Sequence, residues 1–243
     1  MDFQNEMKKI EKNWNKILKD IYKKINGGKM NQLSPKKIAY KLEEITKPNF
    51  ETNSDNNIDF LILAAPTGGG KTTIGKELEK LGIVRFPRHV TRPPRPGEVN
   101  GKDYFFISMD EFKQKEKKGD FMQTSYTYGE GRGTDRKTFF DMIKNKKKFY
   151  IDGSARTPLD FIDNPEIKGI NFVSICFLPP TFRELIKRLL KRVGQDKDMT
   201  KEYIVKRMQT ALKQLSQAKN TIDVFYVNDN YMRVVKEIQK NIK

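Results

Sequence analysis

The sequence is poor in the residues that build redox sites and imidazole-based catalytic sites. Its 243 residues include one cysteine and one histidine, Cys176 and His89. A single cysteine excludes an intramolecular disulfide, so we expect a reducing, cytoplasmic location. A single histidine excludes a His-rich metal site and argues against a Ser-His-Asp catalytic triad.

Long apolar runs are also missing. Hydrophobic residues make up 36% of the chain, and no run approaches the length of about 20 residues that a membrane-spanning helix needs. Residues 4–20 are polar and charged with apolar side chains only at intervals, unlike the apolar core of a signal peptide. We therefore expect a soluble protein without a membrane span.

Positive charge, by contrast, is in large excess. The formal net charge is +17, which would suit nucleic acid, an anionic membrane or a small polyphosphate. Much of the excess is lysine on predicted solvated helix faces, and no zinc-finger spacing or RNP-like aromatic motif accompanies it. We do not expect general nucleic-acid binding, although the basic N-terminus keeps it open as an alternative.

A glycine-rich loop is the most informative stretch of the chain. Residues 58–64 have the length and composition of a buried parallel strand, and residues 72–81 have a helical pattern. Between them the spacing is that of a P-loop, except that Ala65 replaces the usual first glycine. In such a loop Lys71 reaches the β- and γ-phosphates of ATP and the Thr72 hydroxyl holds Mg²⁺. The predicted ATP-binding residues here are Pro66, Thr67, Gly68, Gly69, Gly70, Lys71, Thr72 and Thr73.

Strands and helices alternate over the rest of the chain. Strands are predicted at 121–128, 148–152, 171–178 and 223–227, and helices at 109–118, 135–146, 181–193 and 201–219. Glycines 129, 131 and 133 predict a tight polar loop. The alternation predicts an α/β protein with a doubly wound, mostly parallel sheet.

Residues 1–56 are predicted to form a helical extension and linker. A heptad-like apolar stripe predicts an amphipathic helix, with its members at Phe3, Met7, Ile10, Trp14, Ile17, Ile21 and Ile25 or Tyr22. The stripe would pack on its own domain or on a second copy as a homodimer, or its basic face would bind a membrane surface or an acidic partner. A second short helix, capped by Ser34, would bury Ile38, Leu42 and Ile45, and residues 47–57 read as linker.

Residues 90–104 carry a more specific resemblance. Their sequence, Val-Thr-Arg-Pro-Pro-Arg-Pro-Gly-Glu-Val-Asn-Gly-Lys-Asp-Tyr, is similar to the monophosphate-binding signature of guanylate kinases. Supporting matches are Gly119-Asp-Phe121, Gly133-Thr134, Ile151-Asp152, Arg188 to Arg192, Lys206-Arg207 and Val227-Asn-Asp229.

The resemblance covers residues 57–243 and implies a three-layer P-loop kinase fold. It implies a small monophosphate-binding region at about 86–134 and a lid at about 188–207. The implied reaction is ATP + NMP → ADP + NDP, with Mg²⁺ as cofactor and nucleotides as partners.

Several cationic residues fit that reaction. Arg92 and Arg95 lie in a proline-stiffened segment and, with the Tyr104 hydroxyl, suit a dianionic monophosphate. Asp152, at the end of a predicted strand, would orient Mg²⁺-bound water or an arginine.

No general base is required, because the accepting phosphate oxygen is already ionised. The resemblance adds Asn228 to the ATP site and assigns charge stabilisation of the transferred group to Lys71 and the lid residues Arg188, Arg192 and Arg207.

The resemblance departs from the family in the base pocket. The position of the guanine-binding glutamate is Gln123, that of a serine near guanine O6 is Arg88, and that of a phosphate-binding tyrosine is Arg132, while Thr134 keeps a hydroxyl. A neutral amide offers one donor and one acceptor, and its pairing with Arg88 resembles how thymidylate kinases read a pyrimidine. We expect GMP or dGMP as acceptor, with dTMP, dUMP or another base as the alternative.

Two further alternatives concern the activity itself. A ribose 1,5-bisphosphokinase of the same fold would have no base to bind, and the turn at residues 152–155 is compatible with it. A guanylate kinase-like phosphopeptide-binding module would have lost catalysis, but the intact residues 70–72 argue against that loss.

Overall fold

The computed structural model describes residues 2–25, 34, 36–38, 41, 58–191, 200–218 and 221–241. Several predicted features lie outside these residues: Leu42, Ile45, the linker 47–57, Arg192 and the loop 194–199. In the described part of the chain, no helix is long and apolar enough to cross a membrane.

The described elements alternate as the sequence predicts. The helices are α1 (Phe3–Ile25), α2 (Lys71–Lys80), α3 (Met109–Lys118), α4 (Arg136–Lys144), α5 (Thr157–Ile162), α6 (Phe182–Leu190), α7 (Lys201–Ala218) and α8 (Tyr231–Asn241). The strands are β1 (Phe60–Ala64), β2 (Val84–Arg85), β3 (His89–Val90), β4 (Phe105–Phe106), β5 (Phe121–Thr127), β6 (Glu130–Asp135), β7 (Phe149–Gly153), β8 (Phe172–Leu178) and β9 (Val224–Val227).

A five-stranded parallel sheet forms the centre of the molecule. Its order is β2-β7-β1-β8-β9, with β1 in the middle. Every residue of β1, β7 and β9 is buried, as expected when helices cover both faces of a parallel sheet. On one face, α2 and α8 pack against Leu61 and Leu63; on the other, α4 and α5 pack against Phe60 and Ile62. The predicted doubly wound sheet is therefore confirmed, and the carboxyl ends of β1 and β7 meet at one edge.

A second, four-stranded sheet contains most of the predicted monophosphate-binding region. Its order is β4-β3-β6-β5, and β5 and β6 form an antiparallel hairpin. The predicted tight loop is confirmed at Gly129, in the turn between β5 and β6, but is wrong at Gly131 and Gly133, because residues 130–135 form strand β6. Added Cβ atoms at Gly131 and Gly133 would lie 3.0 Å from the Phe112 ring and 2.8 Å from the Phe121 ring. These glycines leave space for aromatic packing instead of breaking the strand.

The N-terminal helix packs on the same chain. Met7, Ile10, Trp14 and Leu18 are buried in one cluster with residues of α6 and α7, and the Trp14 and Phe182 ring centroids are 6.0 Å apart. Of the predicted options for the apolar stripe, the structure shows packing on its own domain. The predicted cap of the second helix is also present: the Lys37 backbone N–H donates to the Ser34 hydroxyl at 3.4 Å.

Because Trp14 is 2% exposed, we expect Trp14→Ala to lower the free energy of unfolding by about 3–5 kcal/mol. Denaturant-induced unfolding measures this loss. Lys12→Ala, on the exposed face of the same helix, is the matched control and should change stability by less than about 0.5 kcal/mol. Equal stability of both variants would contradict the packing of α1 on this domain.

Candidate active site

The glycine-rich loop after β1 forms a cradle of backbone groups. Gly68 and Gly70 have φ angles of 84° and 93°, which side chains rarely permit. An added Cβ at Gly70 would meet the Asn228 amide, and that amide donates to the Gly69 carbonyl at 2.8 Å. Helix α2 starts at the end of the loop with no side-chain cap. Its first N–H groups and its dipole therefore remain available for an anion.

The buried carboxylate of Asp152 contacts both Lys71, which follows the glycine-rich loop, and Tyr104 of the predicted monophosphate-binding segment. Lys71 Nζ lies 2.5 Å from Asp152 Oδ1 and also donates to the Gly153 carbonyl at 2.5 Å. The Tyr104 hydroxyl donates to Asp152 Oδ2 at 2.7 Å. Burial opposes ionisation of Asp152, but Lys71 and these hydrogen bonds outweigh it and hold its pKa well below the usual range. Asp152 is therefore a permanent anion at the end of β7.

Arg92 is held by Glu98 within the predicted monophosphate-binding segment. Its two terminal nitrogens donate to the two Glu98 oxygens at 2.6 and 2.7 Å, and the guanidinium lies 5.1 Å from the Tyr104 ring centroid. The Arg95 backbone N–H donates to the same carboxylate at 2.8 Å. Although burial opposes its ionisation, these bonds lower the pKa of Glu98. The bidentate pair and the Arg95 hydrogen bond thus connect the two ends of the segment 92–98.

Helix α7 places Arg207 against the hairpin that β5 and β6 form. The Arg207 guanidinium lies 5.1 Å from the Tyr128 ring centroid and 4.9 Å from that of Tyr203, and the Tyr128 hydroxyl donates to the Arg207 carbonyl. Burial lowers the pKa of Arg207, and the nearby charge of Arg95 adds to this effect. Arg188 lies near the glycine-rich loop, where it donates to the carbonyl of Asn228 at 3.2 Å. Arg207 of the predicted lid is therefore in contact with Tyr128 of the predicted monophosphate-binding region.

The residues predicted to form the base pocket surround one amide. Arg88, which is 2% exposed, and the Thr134 hydroxyl both donate to Gln123 Oε1, at 2.5 and 3.2 Å. The Gln123 amide nitrogen donates to Asp160 of α5 at 3.0 Å. Burial and the charge of neighbouring Arg132 lower the pKa of Arg88 to about 10, so Arg88 is still a cation at neutral pH. The pocket is a polar hydrogen-bond network.

Several buried arginine donors in this cleft lack hydrogen-bond acceptors in the part of the chain that the structure describes. The Nε atoms of Arg88, Arg92, Arg132 and Arg207 are buried and have no hydrogen-bond partner among the described residues. Buried donors without acceptors are costly, and the cost is recovered when an anion or polar ligand supplies the acceptors. The arrangement favours a ligand with several phosphate and carbonyl oxygens.

Most predicted site residues thus come together in space. Thr72 and Thr73 are exposed in the first turn of α2, and Pro66 and Thr67 lie in the loop before it. The residues that sequence reasoning missed and that contact the predicted ones include Glu98, Tyr128 and Asp160. Only Glu98 carried a local signal, since it lies inside the signature at 90–104.

The described residues contain no group of three or more His, Cys, Asp or Glu side chains that could hold a metal ion. Mg²⁺, however, usually keeps several waters and binds one or two protein oxygens plus substrate phosphates. The exposed Thr72 hydroxyl and the anionic Asp152 carboxylate are oxygen donors of the required kind. The donor set fits an Mg²⁺ ion that enters with ATP.

Loss of Lys71 should destabilise the ligand-free protein, because it leaves the Asp152 carboxylate buried without its counter-ion. We expect Lys71→Met to lower the free energy of unfolding by about 3 kcal/mol, measured by denaturant titration without nucleotide. Lys71→Met/Asp152→Asn should recover most of that loss, since the buried charge is removed. Lys76→Met, at an exposed position of the same helix, should be nearly neutral. A double variant no more stable than Lys71→Met would contradict the charge-pair explanation.

Comparisons with known proteins agree with the geometry. The guanylate kinase family model matches residues 58–243. A curated guanylate kinase from Geobacter metallireducens is 34% identical over 190 residues, covering 73% of this chain and 84% of the relative. One from Nostoc sp. is 30% identical over 210 residues, covering 82% and 97%. A crystal structure of guanylate kinase from Anaplasma phagocytophilum superposes with a TM-score of 0.59 at 23% identity, covering 75% of this chain and 83% of that one, and supports the fold. The chain belongs to the guanylate kinase family.

Proposed function

We propose that this chain transfers the γ-phosphoryl group of ATP to GMP or dGMP, giving ADP and GDP or dGDP. Membership of the family makes it a nucleoside monophosphate kinase. One structural observation supports this proposal at the level of the site. Several buried arginine Nε atoms have no hydrogen-bond partner among the described residues, and they lie next to the glycine-rich loop. A polyphosphate and a monophosphate would together supply the missing acceptors.

The donor side of the proposed site is the P-loop. Backbone N–H groups of residues 67–73 would bind the ATP phosphates. The Asn228 amide stabilises the loop through its hydrogen bond to the Gly69 carbonyl. Lys71 is held by Asp152 and the Gly153 carbonyl in the ligand-free chain, and we infer that it turns to the β- and γ-phosphates when ATP binds. The ion pair keeps the ammonium group beside the site and ordered before ATP arrives.

The acceptor side would grip the monophosphate with Arg92, Arg95, Tyr104 and Arg132. A non-bridging phosphate oxygen of GMP attacks the γ-phosphorus as the bond to the β,γ-bridging oxygen breaks, and ADP leaves with that oxygen. Since the attacking oxygen is ionised at neutral pH, no side chain has to remove a proton. The Arg188 and Arg207 guanidinium groups would stabilise the negative charge on the transferred group, and Arg192 is proposed to do the same.

We also propose Mg²⁺ as the cofactor, held by the Thr72 hydroxyl and oriented through water by Asp152. A bound Mg²⁺ would neutralise charge on the ATP phosphates. The fold determines where these two groups lie: the Thr72 hydroxyl is at the start of α2, and the Asp152 carboxylate is at the end of β7.

The alternatives are less well supported by the contacts. A ribose 1,5-bisphosphokinase would not need the network of Arg88, Gln123, Thr134 and Asp160. A phosphopeptide module would not need the Lys71–Asp152 pair. The predicted homodimer through α1 stays a prediction, and it would have to use a face other than the part of the apolar stripe that is buried within the chain, at Met7, Ile10, Trp14 and Ile21. The cytoplasmic location is likewise proposed, and the buried free thiol of Cys176 suits it.

A coupled ADP-release assay over GMP, dGMP, AMP, dTMP, dUMP and ribose 1,5-bisphosphate tests the proposed reaction. We expect the highest kcat/KM with GMP or dGMP, because a donor and an acceptor are fixed beside the base position. Preference for dTMP or dUMP would select the altered-base alternative. No turnover with any of the nucleotides would contradict the proposal.

Chelation tests the cofactor. EDTA should abolish ADP release and excess Mg²⁺ should restore it. Thr72→Ala should raise the Mg²⁺ concentration for half-maximal rate and lower kcat by about 100-fold or more. Thr72→Ser keeps the hydroxyl and is the matched control, with a much smaller effect. Equal Mg²⁺ dependence of the two variants would argue against Thr72 as a ligand.

A further inference from the structure

The amide of Gln123, at the position where the family resemblance places the base-reading residue, has no free hydrogen-bonding capacity. A carboxamide has two acceptor sites on oxygen and two N–H donors on nitrogen. Its oxygen already accepts from Arg88 and Thr134, and its nitrogen donates to the Thr124 carbonyl at 3.1 Å and to Asp160 Oδ2 at 3.0 Å. The reverse orientation of the amide is unfavourable, because it would turn the NH₂ group towards the Arg88 donor.

Asp160, in contrast, retains acceptor capacity. An ionised carboxylate offers about four lone-pair sites, of which one accepts from Gln123 and another faces Arg156 Nε at 3.5 Å. The side chain is partly buried, with 22% of its surface exposed. Burial raises the pKa of Asp160, and the charge of Arg156 and the Gln123 hydrogen bond oppose that rise. Asp160 is a partly desolvated acceptor in the base pocket.

The position of Asp160 is fixed by the packing of α5. Phe161, the next residue, is fully buried against Phe60 and Phe139. Asn164, just after the helix, donates to the Met122 carbonyl at 3.0 Å, which ties α5 to the strand residue next to Gln123. The carboxylate is therefore held beside β5 by a core contact and a backbone contact.

Arg88 supplies the complementary donor. It is buried, its Nε has no hydrogen-bond partner among the described residues, and it shares Gln123 with Asp160. Arg88, a donor, lies at the oxygen of the Gln123 amide, and Asp160, an acceptor, lies at its nitrogen. This pair matches the edge of a base on which a carbonyl oxygen neighbours a ring N–H. Guanine has this edge at O6 and N1, and its 2-amino group offers a second hydrogen to a carboxylate.

We propose that Asp160 is the carboxylate that reads the base of the monophosphate, and that Gln123 is a positioning residue that holds Asp160 and Arg88 in place. Arg88 donates to O6, and Asp160 accepts from N1–H and the 2-amino group. This assignment rests on the proposed phosphorylation of GMP. It attributes the preference for guanine to Asp160, a residue that the resemblance to the family does not include.

The test compares GMP with IMP, which lacks only the 2-amino group. Asp160→Asn should lower kcat/KM for GMP by about 10- to 100-fold, chiefly through KM, as expected for loss of a hydrogen bond to a charged group. The GMP-to-IMP preference should fall towards one, while the KM for ATP stays unchanged. Asp163→Asn removes the same charge at an exposed position one residue beyond α5 and should leave all these values within about twofold.

A charge swap separates base reading from a general structural role. Gln123→Glu alone places two carboxylates about 3 Å apart and should weaken GMP binding, because like charges at that distance repel. In Gln123→Glu/Asp160→Asn the carboxylate acceptor moves to position 123, and the amide introduced at position 160 donates to it. This double variant should recover most of the GMP-to-IMP preference that Asp160→Asn loses.

Calorimetric titration of GMP onto the same proteins keeps this inference separate from the proposed reaction. A wild-type chain that binds GMP without turnover would overturn the reaction only, and loss of GMP affinity in Asp160→Asn would still support Asp160. Retention of GMP affinity and of the GMP-to-IMP preference in a folded Asp160→Asn variant would overturn the role of Asp160. No GMP binding by the wild-type chain would overturn both.

Discussion

The ion pair between Lys71 and Asp152 is the interaction on which the rest of the site depends. Asp152 Oδ1 lies 2.5 Å from Lys71 Nζ, and the ammonium group of Lys71 helps to keep this buried carboxylate ionised. The pair exists because β1 and β7 are neighbours in the parallel sheet: Lys71 follows β1 through the glycine-rich loop, and Asp152 lies at the end of β7. Tyr104, the residue before β4, donates to the other oxygen of the same carboxylate, so the glycine-rich loop and this part of the chain share one anion.

The site also contains several buried arginines, only some of which pair with a carboxylate in the described ranges. Glu98 neutralises Arg92 and Glu130 lies near Arg132. Arg88 and Arg207 are buried with lowered pKa values and have no direct carboxylate partner among the described residues. A buried guanidinium group without a counter-ion costs stability and in return supplies preorganised positive charge, as expected of a site that binds phosphate. A bound nucleotide would supply oxygen acceptors to these guanidinium groups, so the unpaired donors and the preference for an anionic ligand involve the same residues.

Local patterns in the sequence predicted the parts of the structure that depend on neighbours in the chain. The P-loop, the capped helix α3 and the parallel strands follow from apolar runs, glycine spacing and capping residues. Contacts between distant residues were not predictable in the same way. Gln123 and Asp160 are 37 positions apart and meet only because α5 packs over β5. Strand β6 was missed because its glycines have the composition of a turn, whereas their function is to admit the rings of Phe112 and Phe121.

The N-terminal helix shows how a region outside the family match connects to the phosphate cradle. Trp14 of α1 belongs to the same buried cluster as Leu185 and Leu189 of α6. Leu189 in turn packs on Gly68, where an added Cβ would lie 2.9 Å from its Cδ2 atom. Because a close-packed interior transmits displacements instead of absorbing them, the position of α1 constrains α6, and α6 constrains the loop. Residues 3–25 are therefore part of the scaffold that shapes the proposed ATP site, although the family model begins only at residue 58.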